Sequence, residues 1–376
     1  MEQDGRIPLI NGANRNAFSR GTSGDMDGGY SIYLMTRNGE VVEKTDTFGV
    51  DRVTDAVYVA EQDLFSEFIL KPVVSINLQD RFQGALLGLA CGDAVGTTVE
   101  FKARGSFAPL TDMVGGGPFR LKPGEWTDDT SMALCLATSL VECGRFDAED
   151  QMQRYCRWME NGYLASNGRC FDIGGTVSQA LRAFRRTGDP YSGSSDPHSA
   201  GNGCLMRLAP VPMFFFPDRA AAIAMSGESS RTTHGAQECI EASRLFGAML
   251  TSAFRGLTKE EILFGHGVEI VGSARLQGVA QGNYRNAAEG CIQGSGYVVE
   301  SLEAALWCFL NTDNFRDAIL RAANLGRDAD TTAAICGQLA GAFYGESGIP
   351  KEWRERLVMV GEIRALAEML HRSVPD

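Results

Sequence analysis

The stretch Arg81-Phe82-Gln83-Gly84-Ala85-Leu86-Leu87-Gly88-Leu89-Ala90-Cys91-Gly92-Asp93 decides how the chain is expected to fold. Gly84, Gly88 and Gly92 recur every four residues, so on a helix they share one face. A glycine inside a helix costs roughly 1 kcal/mol against alanine. Three in register make sense where another backbone approaches closely. A second stretch repeats the spacing with Gly337, Gly341 and Gly345. These two helices are expected at the centre of the molecule, against each other.

The pattern around them is helical too. Runs at 80–94, 130–143, 148–160, 174–186, 218–228, 235–255, 258–266, 300–310, 315–323, 331–344 and 351–371 have helical apolar spacing or helix-favouring composition, with Gly, Pro and Asp between them. No comparable series of strands appears. The expected fold class is mainly all-α, a bundle of about ten helices or more over residues 76–376.

Residues 1–75 read differently. Up to about Asp27 they are rich in Gly, Asn, Ser and Arg, as in a loop or flexible arm. Tyr30–Thr36 and Glu40–Lys44 then flank Arg37-Asn38-Gly39, and Asn-Gly between β-prone runs signals a hairpin. Ala56–Ala60 and Phe68–Ile76 offer another strand or two. We expect a small β-containing N-terminal extension, 1–75, attached to a larger domain, 76–376.

Of the 376 residues, 44% are apolar and 22% charged, which supplies a sizeable core. The formal net charge is −12, and residues 1–75 hold seven Lys/Arg against twelve Asp/Glu. An acidic protein repels phosphate backbones, which argues against a nucleic-acid binder. A negative cleft suits divalent cations. The ten cysteines (91, 135, 143, 156, 170, 204, 239, 291, 308 and 336) form no Cys-x-x-Cys pair. They read as buried free thiols in a reducing cytoplasm. The start Met1-Glu2-Gln3-Asp4 lacks the basic and apolar regions of a signal peptide. No apolar run reaches the ~18 residues a membrane helix needs, so no membrane partner is expected.

Chemistry concentrates at two helix starts. Thr127-Asp128-Asp129-Thr130 leads into one apolar helix, and Asp328-Ala329-Asp330-Thr331-Thr332 leads into another about 200 residues later. Asp and Thr are favoured helix caps. Adjacent carboxylates also repel, and a cation would relieve that repulsion. Carboxylate and hydroxyl oxygens suit hard ions such as Mg²⁺ or Mn²⁺, and two such clusters brought together outline a two-metal hydrolytic site. Four histidines are too few for a His-rich zinc centre. Asp93, flanked by Ala94 and Gly92, leaves room for a ligand or another backbone. Glu100 lies in an apolar setting that would raise its pKa, or on a loop surface. Polar-glycine loops at 172–176, 201–207, 232–235 and 294–300 expose N–H groups that suit a pyrophosphate. None fits a Walker loop or dinucleotide fingerprint, and Gly-x-Ser-x-Gly is absent.

In order, Gly92-Asp93-Ala94-Val95-Gly96…Glu100-Phe101, Trp126-Thr127-Asp128-Asp129-Thr130, Gly201-Asn202-Gly203-Cys204-Leu205-Met206-Arg207, Thr232-Thr233-His234, Gly296-Tyr297-Val298-Val299-Glu300 and Gly326-Arg327-Asp328-Ala329-Asp330-Thr331-Thr332-Ala333 resemble the ADP-ribosylglycohydrolase family over about residues 78–370. That resemblance implies an all-α bundle with a binuclear Mg²⁺ or Mn²⁺ centre. It implies Thr127, Asp128, Asp129, Asp328, Asp330 and Thr331 as metal ligands. Glu100 and Asp129 are implied as catalytic carboxylates. Asp93, Gly174, Asn202, Gly203, His234 and Tyr297 are implied to contact substrate. The motifs look closer to arginine-type hydrolases, which release ADP-ribose from a modified protein. The long front segment is similar to immunity proteins of this family that protect against ADP-ribosyltransferase toxins, and it implies a cognate toxin as a partner of residues 1–75.

Overall fold

In the computed structural model the backbone is described for residues 16–22, 30–36, 41–45, 57–62 and 68–73, and backbone and side chains for residues 76–374. Ten helices of nine residues or more occur among these residues: α1 (Leu78–Gly96), α2 (Asp128–Cys143), α3 (Ala148–Asn161), α4 (Gly175–Thr187), α5 (Arg219–Arg231), α6 (Gln237–Phe254), α7 (Val298–Leu310), α8 (Phe315–Ala323), α9 (Ala329–Tyr344) and α10 (Val360–Arg372).

The two glycine stripes meet along α1 and α9. A Cβ built on Gly84 would lie 2.2 Å from the Gly341 carbonyl oxygen, and one on Gly88 would lie 2.3 Å from that of Gly337. Toward the end of α1 the contact continues, with Gly92 against Ala333 and Gly96 against Ala329. Rising numbers on α1 meet falling numbers on α9, so the pair is antiparallel. The end of α1 is thereby carried to the start of α9, the first acid-rich segment against the second. Gly345 carries the register one step further, where a Cβ would lie 2.0 Å from a carboxylate oxygen of Asp80 on α1. It turns the chain with φ +73° after α9. There Arg81 of α1 donates to the carbonyls of Ala342 (3.0 Å) and Phe343 (2.9 Å), a cation on the carbonyl end of a helix. Helices α7, α8 and α10 pack around the seam. Phe82, Phe246, Phe309, Phe315 and Trp353 are buried in the surrounding core.

One expected helix is divided. The run 351–371 is a short helix, Lys351–Arg356, followed by a break and then α10. Met359 takes φ +54° at the break. Val358 there donates to the Gly124 carbonyl at 3.0 Å. Trp126 Nε1 donates to the Val358 carbonyl at 3.4 Å. The helix is interrupted so that this turn can hold the segment entering α2. Short helices at Pro210–Phe214 and Ala274–Ala280 were not read from the sequence, because segments of fewer than about two turns carry little periodic signal.

Residues 1–75 form a separate unit from residues 76–376. Its described backbone comprises β1 (Asn16–Thr22), β2 (Tyr30–Thr36), β3 (Val41–Thr45), β4 (Val57–Gln62) and β5 (Phe68–Val73). Strands β1, β2 and β3 pair antiparallel in that order, as do β4 and β5. β1 falls within the stretch read as an arm; the rest of that stretch and the Arg37-Asn38-Gly39 turn lie outside the described residues. Among the described residues no helix is long and apolar enough to cross a membrane.

Candidate metal centre

Thr127 and Asp328 stand at the cap positions of α2 and α9, yet neither side chain caps its own helix. The start of α2 is satisfied from α1 instead. Buried Asp93 accepts from the backbone N–H of Thr127 (2.9 Å) and Thr130 (3.1 Å). It also accepts from their hydroxyls, at 2.9 and 2.7 Å. Burial lifts its pKa to about 6, against the pull of these donors. Asp93 is therefore an anchor for α2, and Asp128 and Asp129 are left free of capping.

Glu100 follows a short 3₁₀ turn, Thr97–Val99. The next residue, Phe101, takes φ +62° and donates its N–H to the Arg327 carbonyl at 2.6 Å. Arg327, at φ +59°, returns an N–H to the Lys102 carbonyl at 2.6 Å. This reciprocal clasp sets Glu100 beside the start of α9. One carboxylate oxygen each from Glu100, Asp328 and Asp330 lie within 4.8 Å of one another. Across from them, the Thr331 hydroxyl donates to Asp129 Oδ1 at 3.3 Å, joining α2 to α9. A further acid enters from the loop before α4. Asp172, at φ +60°, adds its charge to the cluster, where it raises the pKa of Asp128, Asp330 and Glu100. Only its place in an Asp-Ile-Gly-Gly loop at a helix start hinted at this role, since Asp tolerates the left-handed region better than most residues.

These carboxyls are buried together. Burial is the main cause that pushes Glu100 up to about 12, with Asp330, Asp172, Asp328 and Asp128 adding to it. Asp172 is raised to about 8 by burial, then by Asp93 and Asp328. Asp128, Asp129 and Asp330 are all driven well above the usual carboxylate range, first by burial and then by a neighbouring carboxylate, Asp172 for Asp128, Asp93 for Asp129 and Asp328 for Asp330. Glu100 Oε2, Asp129 Oδ2 and Asp330 Oδ1 are buried with no hydrogen-bond partner. Orphaned carboxylate oxygens in an all-oxygen set fit a hard divalent cation, which satisfies the oxygens and offsets the repulsion.

The other residues read from the sequence surround this cluster in different ways. Asn202 Nδ2 donates to Asp328 Oδ2 and to the Ser301 hydroxyl, so it orients Asp328. The loops carrying Asn202 and Tyr297 are joined, because Asn202 N–H reaches the Gly296 carbonyl at 3.1 Å. Tyr297 donates its hydroxyl to Glu238 at 2.8 Å. Gly203 packs against the ring of His234, where a Cβ would lie 2.8 Å from Cε1. Gly174, just before α4, is exposed, and nothing would meet a Cβ there. Phe101 is 69% exposed beside Glu100, and its ring meets Phe119, which meets Phe171 beside Asp172. An aromatic lip thus borders the acids.

This chain belongs to the ADP-ribosylglycohydrolase family, whose model matches residues 75–376. It is 45% identical over 297 residues to a protein of Serratia proteamaculans (strain 568) named ADP-ribosylarginine hydrolase Tri1, covering 79% of this chain and 80% of that one. A Pseudomonas putida (strain GB-1) protein of the same name is 48% identical over 299 residues, covering 79% of each chain. The ADP-ribosyl-[dinitrogen reductase] glycohydrolase of Rhodospirillum rubrum is 33% identical, over 75% of this chain and 92% of that one. A solved structure described as an ADP-ribosylglycohydrolase-related protein complex matches with TM-score 0.70 and 42% identity, over 80% of this chain and 99% of that chain.

Proposed function

We propose that this protein hydrolyses the N-glycosidic bond between ADP-ribose and an arginine guanidino group on a modified protein, restoring the arginine. The observation that carries the reading is the buried acid cluster with three unpartnered oxygens, in a family of ADP-ribosylglycohydrolases. Two relatives named ADP-ribosylarginine hydrolase, at 45% and 48% identity, support arginine as the linkage.

Asp128, Asp129, Asp328 and Asp330, with the hydroxyls of Thr127 and Thr331 and the Glu100 carboxylate, would hold two Mg²⁺ or Mn²⁺ ions. Such ions, when bound, supply the positive charge that lets the carboxyls ionise together and that polarises ligand oxygens. The chain's own groups do the rest. Asp93 fixes the start of α2, and Asn202 fixes Asp328. Phe101 offers a π-face beside Glu100 on which a guanidino group can lie. In the reaction the bond from the anomeric carbon to nitrogen breaks, water adds to that carbon, and a proton passes to the departing guanidine. Glu100 and Asp129 are the carboxyls assigned to proton handling, and Asp172 joins them. Gly174, Gly203, His234 and Tyr297 would line the ADP-ribose cleft.

The biological setting we favour is immunity against an ADP-ribosyltransferase toxin in a reducing cytoplasm. All ten cysteines are free thiols, in keeping with that compartment. Residues 1–75, a β-containing extension, form the partner-binding part. The family match begins at residue 75, so this segment serves something other than the shared chemistry. Acting alone, it would be a stoichiometric inhibitor of the toxin. Deleting residues 1–75 tests this, since the reading requires loss of toxin binding with hydrolysis retained.

The hydrolase is tested by ADP-ribose release from an ADP-ribosylated arginine protein in Mg²⁺, in chelator, and with Asp128→Asn. Release that needs the metal and is abolished by the substitution is expected. A folded protein that releases nothing with any divalent ion would overturn the arginine reading.

A further inference from the structure

Arg207 is a fully buried guanidinium, and among the described residues no carboxylate pairs with it. It donates to the Gly203 carbonyl at 2.8 Å and to the Thr233 hydroxyl at 2.7 Å. It lies over the Tyr155 ring, 4.9 Å from the centroid, and its Nε has no partner. An unpaired buried cation is expensive, and an apolar side chain of similar size would usually be the more stable choice. The bonds Arg207 makes suggest what it is kept for.

A guanidinium has only donors. The Thr233 oxygen therefore accepts from Arg207, which leaves its single proton free for another acceptor. The acceptor in contact is Nδ1 of His234, 2.9 Å away. If Nδ1 takes that proton, the hydrogen of the neutral ring sits on Nε2. His234 is buried, and burial first and the Arg207 charge second hold its pKa down at about 3. Among the described residues Nε2 has no protein partner. It faces the glycine loop, where a Cβ on Gly201 or on Gly203 would come within 3.3 Å of it. That same loop carries Asn202, the residue that orients Asp328.

We propose that Arg207 and Thr233 are positioning residues that fix His234 as the Nε2–H tautomer, so that it presents one hydrogen-bond donor to an oxygen of the bound ADP-ribosyl group. The ligand half of this inference rests on the glycohydrolase reading. The opposite tautomer would present a lone pair to that oxygen and repel it.

The test combines ¹⁵N NMR of the histidine rings in the ligand-free full chain with calorimetric binding of ADP-ribose. The chain has four histidines, and the signal lost in His234→Phe identifies the one in question. The wild type is expected to show a neutral ring protonated on Nε2. Thr233→Val should shift the ring toward Nδ1–H and weaken ADP-ribose binding roughly tenfold, the effect of one lost hydrogen bond. Thr233→Ser keeps the hydroxyl and should restore both. A wild-type ring that is charged or protonated on Nδ1, in a protein that binds ADP-ribose, overturns the proposal alone. So does a Thr233→Val variant whose tautomer and affinity are unchanged. If Thr233→Val does not fold, the wild-type and Thr233→Ser spectra still decide the tautomer. Failure of the wild type to bind ADP-ribose under any metal overturns the glycohydrolase reading, and the ligand half with it.

Discussion

Along the middle of α1 and α9, Gly84 faces Gly341 and Gly88 faces Gly337 with no side chain between the backbones. Where the same pair of helices ends, Glu100, Asp129 and Asp330 each keep a buried oxygen without a partner. The seam is close-packed and complete; the acid cluster is crowded with like charge and incomplete. The difference separates what holds the fold from what it carries. Tight backbone contact in the seam provides the rigidity against which several mutually repelling carboxyls are held, and that repulsion is what a bound cation would relieve. Adding atoms should damage the first region. Removing charge should relieve the second while ending its function.

The largest effect is expected from adding a methyl to the seam. In Gly341→Ala the new Cβ would lie 1.9 Å from the Gly84 carbonyl oxygen, backbone that cannot rotate away. A loss of at least ~3 kcal/mol is expected, read from the urea midpoint, because overpacking at backbone contacts forces the helices apart. A loss below about 0.5 kcal/mol would show that the seam is loose, and the comparison would fail.

Next comes the acid cluster. Asp330→Asn should lower hydrolysis at least about a hundredfold while raising the melting temperature in chelator. The pH dependence follows from the raised pKa values of Asp172, about 8, and Glu100, about 12, against the ~4 of an unfolded carboxyl. Neutral in the folded chain, these groups contribute stability that is fully present below about pH 4 and is lost as pH rises through about 8 for Asp172. In chelator the melting temperature should therefore fall between about pH 5 and pH 8, and Mg²⁺ should arrest the fall. A pH-independent melt in chelator would mean the carboxyls do not repel as described.

A smaller effect separates ligands from their supports. Asn202→Ala removes the donor that orients Asp328. Apparent Mg²⁺ affinity should weaken about 10- to 100-fold, the usual range for a residue supporting a metal ligand. The smallest change is a control for lost charge alone. Glu355 forms an exposed pair with Lys351, and Glu355→Gln should leave stability within about 0.5 kcal/mol and hydrolysis unaltered.

Amino-acid order alone settles the parts of this molecule that depend on local spacing. Glycine every fourth residue marks a helix face whatever surrounds it, so both stripes are readable without knowledge of their partner. The helical runs are readable for the same reason, as are the two acid-rich helix starts. Tertiary structure decides what depends on distant atoms. The same Thr-Asp segments are equally consistent with helix caps, and only the arrival of Asp93 from α1 relieves α2 of that need. Asp172 joins the cluster because a left-handed turn brings it there, which no periodicity encodes. The run 351–371 breaks at Met359 because the Gly124 carbonyl, far away in sequence, accepts from Val358. Arg207 is donor-only in any fold, but which hydroxyl it binds, and so where the His234 proton sits, depends on packing. Periodicity is a property of neighbours along the chain, whereas hydrogen-bond satisfaction and charge repulsion depend on neighbours in space.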